Sequence, residues 1–135
     1  GPHSNRFLQM IQPTLLVMLG GAIGSAGRYH LGRLTQACFG PHYPWGTLAA
    51  NLVGGLLMGV LAGMLARGPM AQEPWRLLLG VGVLGGFTTF SAFTLETVTM
   101  IERGQIGIAA TYALASVFGA VAALFIGLWA VRVTA

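Results

Sequence analysis

The chain holds 135 residues, of which 55% are apolar and only 7% charged. A water-soluble domain carries about a quarter charged residues, so this chain cannot cover a surface that faces water, and lipid must be the solvent for most of it. The net charge of +4 does not point to nucleic acid: all seven basic residues are Arg, set one or two to a connection and not in a stripe on one wetted face.

A helix needs about 20 mainly apolar residues to cross a bilayer, and four stretches qualify within one domain, 1–135. Gly1-Pro2 reads as the remnant of a protease site, so residues 1–5 are set aside. The first span is expected over about 14–34. It carries Gly20, Gly24, Arg28 and Gly32 four apart, and Arg28 is a charge that cannot be shed. Such a group must pair, snorkel, or face a wet cavity, where it would attract anions. A turn follows in Phe39-Gly-Pro-His-Tyr-Pro44.

The second span is expected over about 45–65, with Asn51, Gly55, Gly59 and Gly63 on one face and Thr47 one turn before Asn51. Small residues at this spacing let membrane helices approach closely, and a buried amide joins helices or offers N–H donors. Turn residues run from Arg67-Gly-Pro69 to Glu73-Pro74, and the third span is expected over about 75–100. It contains Gly85-Gly-Phe-Thr-Thr-Phe-Ser-Ala-Phe-Thr-Leu-Glu-Thr97. Paired Gly and paired Thr at mid-span predict a break in the helix, which frees backbone carbonyls and is tolerated only where protein, ion or water satisfies them. Beyond it, Phe90 and Phe93 share a face, while Ser91, Thr94 and Glu96 add polar groups. Packing alone would explain two Phe, but not two Phe with a Gly-Gly break and four hydroxyls.

After Glu102-Arg-Gly104 the fourth span is expected over about 106–131, with Tyr112 and Ser116 one turn apart and a small-residue seam from Gly107 to Gly127. Cys38 is the single cysteine, and His3, His30 and His42 show no ligand spacing, so no disulfide within the chain or Cys/His metal set is expected. No nucleophile–base set or phosphate loop is visible, and the chain is not expected to be an enzyme. Four helices leave little wall for a solute path, which favours a dimer. Arg6, Arg67, Arg76 and Arg132 fall on one side and Arg28, Arg33 and Arg103 on the other. Orientation follows a bias in such charges. Four against three predicts insertion both ways and an antiparallel homodimer, the two-chain counterpart of an inverted repeat.

The runs Gly85-Gly-Phe-Thr-Thr-Phe-Ser-Ala-Phe93, Gly46-Thr-Leu-Ala-Ala-Asn-Leu-Val-Gly-Gly55 and Gly20-Gly-Ala-Ile-Gly-Ser-Ala-Gly-Arg-Tyr29 resemble the Fluc (CrcB) family of microbial fluoride channels, in order and over all four spans. The resemblance implies an all-α, multi-pass protein of the cell inner (plasma) membrane, an antiparallel homodimer with two fluoride pores and a structural sodium ion between the subunits. It implies Asn51 as the pore amide, Phe90 and Phe93 as the pore phenyls, and Ser91, Thr47, Tyr112 and Ser116 as pore lining. Glu96 and Arg28 would stand toward a vestibule, and the carbonyls of Gly85 and Thr88 would hold sodium. Ala92 and Ala120 stand where family members often carry hydroxyl residues. The competing reading is a small antiparallel proton-coupled multidrug exporter, but that chemistry needs a carboxylate deep in the first span, and 14–34 contains none.

Overall fold

The computed structural model describes residues 2–67 and 73–134, with side chains from Asn5 onward. Gly1, 68–72 and Ala135 lie outside the described residues, and with them most of the predicted turn between Arg67 and Pro74. The described chain is helical: α1 (Pro2–Phe39), α2 (Trp45–Leu65), a third span divided into α3 (73–87) and α4 (Ser91–Glu102), and α5 (Ile106–Val133). The four spans are each long and apolar enough to cross a membrane.

The first helix outruns the expected 14–34 at both ends. Its 38 residues would extend about 57 Å at 1.5 Å per residue, well beyond an apolar bilayer core of about 30 Å. Hydropathy marks only the part that sits in lipid, whereas the helix continues through the polar residues on either side. Pro13 lies inside it without ending it. What ends it is Gly40, whose φ of +86° is open to glycine and whose N–H donates to Gln36 O at 2.8 Å, followed by Pro41. The α4–α5 turn uses the same device. Gly104 has a φ of +79°, its N–H reaches Ile101 O, and Gln105 N–H reaches Met100 O, which together form a Schellman cap.

The third span departs most from a plain helix. Residues Glu73–Trp75 are α-helical, Arg76–Leu84 form a π-helix, and Gly85–Phe87 return to α. The wider turn closes with Gly85 N–H donating to Gly80 O. The predicted break is present but begins after the glycine pair: Gly85 and Gly86 stay helical, and Thr88 turns extended, at φ −83° and ψ 158°. Thr88 ends the first half by donating N–H and Oγ1 to Leu84 O at 3.0 and 2.9 Å. Thr89 starts the second half, its Oγ1 accepting Ala92 N–H at 3.1 Å.

Backbone-close seams assemble the spans. A Cβ on Gly55 would stand 2.7 Å from Ala120 O, and one on Gly59 would meet the Leu124 backbone, so the α2 seam packs on α5. A Cβ on Gly86 would stand 2.6 Å from Gly21 O, which sets α1 against α3. In lipid such contacts replace hydrophobic burial as the cohesive force. Few large side chains are buried: Tyr112 is fully so, and Leu61, Leu84 and Met100 nearly so, while Phe, Leu, Ile and Val cover the outside. Arg67 ties the end of α2 to α5 by donating Nη1 to Val131 O at 2.5 Å.

Candidate functional site

The break in the third span is held from both neighbouring helices. Asn51, on α2, pairs with one residue of the break. Its Oδ1 accepts Thr89 N–H at 3.0 Å and its Nδ2 donates to Thr89 O at 3.1 Å. Flipping the amide would set donor against donor, so the pairing fixes its orientation and leaves one Nδ2 hydrogen free. On the other side, Gly86 O accepts from Arg28 Nε at 3.4 Å and from Ser25 Oγ at 3.5 Å. Arg28 thus binds the break and also lines the wide cavity described below. Among the described residues no hydrogen bond reaches the carbonyls of Gly85 or Thr88.

Glu96, one helical turn and a half beyond the break on α4, joins three helices. Its Oε1 accepts from Thr47 Oγ1 of α2 at 2.7 Å, and its Oε2 accepts from Tyr112 OH of α5 at 3.1 Å. Both hydroxyl protons are therefore directed at the carboxylate. Thr47 and Asn51, expected on one face, do both address the third span, Thr47 beyond the break and Asn51 at it. Ser116, one turn after Tyr112, is buried, and its Oγ has no hydrogen-bond partner among the described residues. Ser91 is exposed, with its Oγ 3.5 Å from Thr89 Oγ1.

Phe90 and Phe93 stand with ring centroids 5.8 Å apart and planes at 38°. Phe90 is 76% exposed on the single chain, beside the break. The aromatic row continues from Phe93 to Tyr112 at 5.2 Å, then edge-on to Tyr43 at 5.6 Å and on to Trp45 at 4.7 Å. Tyr43 and Trp45 were not among the residues expected in the site. Their signal was present in Tyr43-Pro-Trp45, two aromatic residues at the mouth of the second span. Burial pushes the Tyr43 hydroxyl above its usual pKa, so it stays neutral.

A cavity of about 580 Å³ opens at this end of the bundle, between the α1–α2 connection and the α4–α5 turn. Arg28, Arg33 and Arg103 line it together with His42, Thr47 and Ala92, and Glu96 is the acidic residue among its walls. Arg33 donates to Tyr29 OH at 3.2 Å. The balance of charge favours anions. Ala120 lies in the α2–α5 seam, its carbonyl close to Gly55. No group of three or more His, Cys, Asp or Glu is placed to hold a metal ion among the described residues.

The model of the CrcB-like protein, Camphor Resistance (CrcB), family matches residues 15–128. A protein of Novosphingobium aromaticivorans named fluoride-specific ion channel FluC is 58% identical over 121 residues, covering 88% of this chain and 95% of its own length. The protein of that name from Phenylobacterium zucineum is 58% identical over 123 residues, 90% of this chain and 97% of its own. The one from Erythrobacter litoralis is 51% identical over 133 residues, 95% and 98%. Ion channels are not enzymes, in accord with the expectation from sequence. With the family model spanning its four helices and relatives this similar over nearly their whole length, the chain belongs to the CrcB family.

Proposed function

We propose that the chain is a fluoride-selective channel of the cell membrane that lets cytoplasmic fluoride leave passively, acting as an antiparallel homodimer with two pores. The observation that carries this reading is the break at Thr88–Phe90. It sets an amide with one free N–H beside an exposed phenyl ring at mid-span, and related proteins over 50% identical are named fluoride-specific channels. Fluoride is small and holds its water tightly, so a path must replace that shell with donors. The free Asn51 hydrogen and the hydroxyls of Ser91 and Ser116 are such donors. Phe90 and Phe93 can add their positive ring edges while leaving the path apolar and narrow against larger anions. Weak neutral sites also let the ion leave, which a row of buried Arg would not. Thr47 and Tyr112 hold Glu96 at the inner side of the Arg-lined cavity, and that cavity collects anions.

What a single chain leaves open supports the dimer. Phe90 and Gly85 are exposed, and the carbonyls of Gly85 and Thr88 lack hydrogen-bond partners among the described residues. In lipid an unsatisfied carbonyl costs about 2–7 kcal/mol by transfer measures, which supports a second copy covering this face. The near-even Arg count supports the antiparallel arrangement. A structural sodium ion fits this face. Unpartnered neutral oxygens suit a hard monovalent cation, and Gly85 and Thr88 would hold it from each chain. When bound it would supply charge that satisfies carbonyls the helix leaves free. The exporter reading has no support in the relatives' names and lacks its carboxylate in 14–34. The test is efflux from liposomes loaded with potassium fluoride or potassium chloride. Fluoride release with chloride retained is expected, and equal release of both would refute selectivity.

A further inference from the structure

The break contains a run of carbonyls, of which side chains take some and leave others. Gly86 O is held by Arg28 Nε and Ser25 Oγ from α1, and Thr89 by Asn51 from α2. Gly85 O, Phe87 O and Thr88 O are left without a hydrogen bond among the described residues. The seam explains why α1 can reach. With Gly86 and Gly21 in backbone contact, a Cβ at 86 would stand 2.6 Å from Gly21 O, and Arg28 lies about two turns further along the same helix. The arginine is half-buried, and the atom that binds Gly86 O is Nε, not the tip of the guanidinium. The tip is left over for the cavity.

We infer that Arg28 and Asn51 are positioning residues that clamp the two sides of the break, taking Gly86 and Thr89 out of play and leaving Thr88 O among the carbonyls open to a cation. This assigns Arg28 a task that depends on where its Nε lies and not only on its charge. The inference rests on the proposal that a sodium ion binds at this face. Glutamine and lysine separate the two tasks. A Gln carries its amide nitrogen on Cδ, the position of Arg Nε, and carries no charge. A Lys keeps the charge but has a methylene at that position.

The sequence allows the carbonyls to be watched singly. Thr88-Thr89 is the only Thr-Thr pair and Gly86-Phe87 the only Gly-Phe pair. Labelling with carbonyl-13C Thr and 15N Thr, or with carbonyl-13C Gly and 15N Phe, therefore selects Thr88 C=O or Gly86 C=O in the nuclear magnetic resonance spectrum of the full chain in lipid. Sodium chloride is titrated against N-methylglucamine chloride. The Thr88 line is expected to move and the Gly86 line to stay. In Arg28→Lys the Gly86 line should begin to move and the sodium concentration at half-change should rise at least threefold. Arg28→Gln should restore the parent pattern. If neither line moves in the parent, the sodium reading fails. If Gly86 moves with Thr88 in the parent, or if Lys preserves the pattern and Gln destroys it, the clamp is wrong. The parent comparison decides the matter even if a variant does not fold.

Discussion

Removing the Tyr112 hydroxyl tests the junction of the three helices at Glu96. Tyr112→Phe keeps the ring, and with it the contacts to Phe93 at 5.2 Å and Tyr43 at 5.6 Å. It deletes only the donor 3.1 Å from Glu96 Oε2. A hydrogen bond to a charged group contributes about 1.5–3 kcal/mol, and its loss leaves a half-buried carboxylate oxygen unpartnered. Thr47→Val deletes the donor to Oε1 at 2.7 Å and keeps the shape. Each variant should therefore lower unfolding free energy by about 1.5–3 kcal/mol, roughly 10- to 150-fold in the equilibrium constant. Because both donors serve one carboxylate, the double variant should cost more or less than the sum by at least about 0.5 kcal/mol. Equilibrium unfolding in mixed micelles, with both single variants, the double variant and the parent, measures the cycle. Single costs below about 0.5 kcal/mol, adding without coupling, would show that the carboxylate does not hold these hydroxyls.

Phe90→Ile and Phe93→Ile keep much of the bulk and remove the positive ring edge, and each should reduce fluoride flux at least tenfold in liposomes with the dimer still formed; parental flux in both would reduce the rings to packing. Asn51→Asp turns the donor that faces Thr89 O into an acceptor and sets an anion beside the proposed path, so flux at neutral pH should fall below detection. Gly59→Val should fail to pack, because its Cβ would meet the Leu124 backbone on α5. A cost of about 1–3 kcal/mol or more is expected in the same unfolding assay. For orientation, single cysteines in the 40–44 connection should react with an impermeant thiol reagent in only part of the population, the rest reacting after permeabilisation, whereas complete labelling from one side would contradict dual insertion.

The sequence carried the large features because each depends on local chemistry. Four apolar runs, the turn glycines at 40 and 104 and the Gly-Thr run at 85–89 all state their role within a few residues. The length of α1 did not show, since a helix can continue through Gln9, Gln12 and even Pro13 at one end and Thr35 and Gln36 at the other, where hydropathy no longer marks it. The π-helix over Arg76–Leu84 did not show either, because its pattern of apolar residues also fits an α-helix. Arg28 was visible as a charge at membrane depth, but its bond to Gly86 O depends on how α1 crosses α3. Likewise Glu96 was visible as a polar group, while its junction with Thr47 and Tyr112 spans residues 47 to 112 and needs the fold. The hydroxyls of those two residues, which the resemblance implies as pore lining, are directed at Glu96.

The central claim, passive and selective fluoride conduction, is tested most directly by the current through purified chain in a planar bilayer with fluoride on both sides at a tenfold ratio and chloride equal on both. The current should reverse near the fluoride equilibrium potential, about 59 mV for a tenfold ratio of a monovalent ion, and a pH gradient should leave that potential in place. Reversal that follows the pH gradient, or the absence of fluoride current from protein shown to be inserted, would contradict the account.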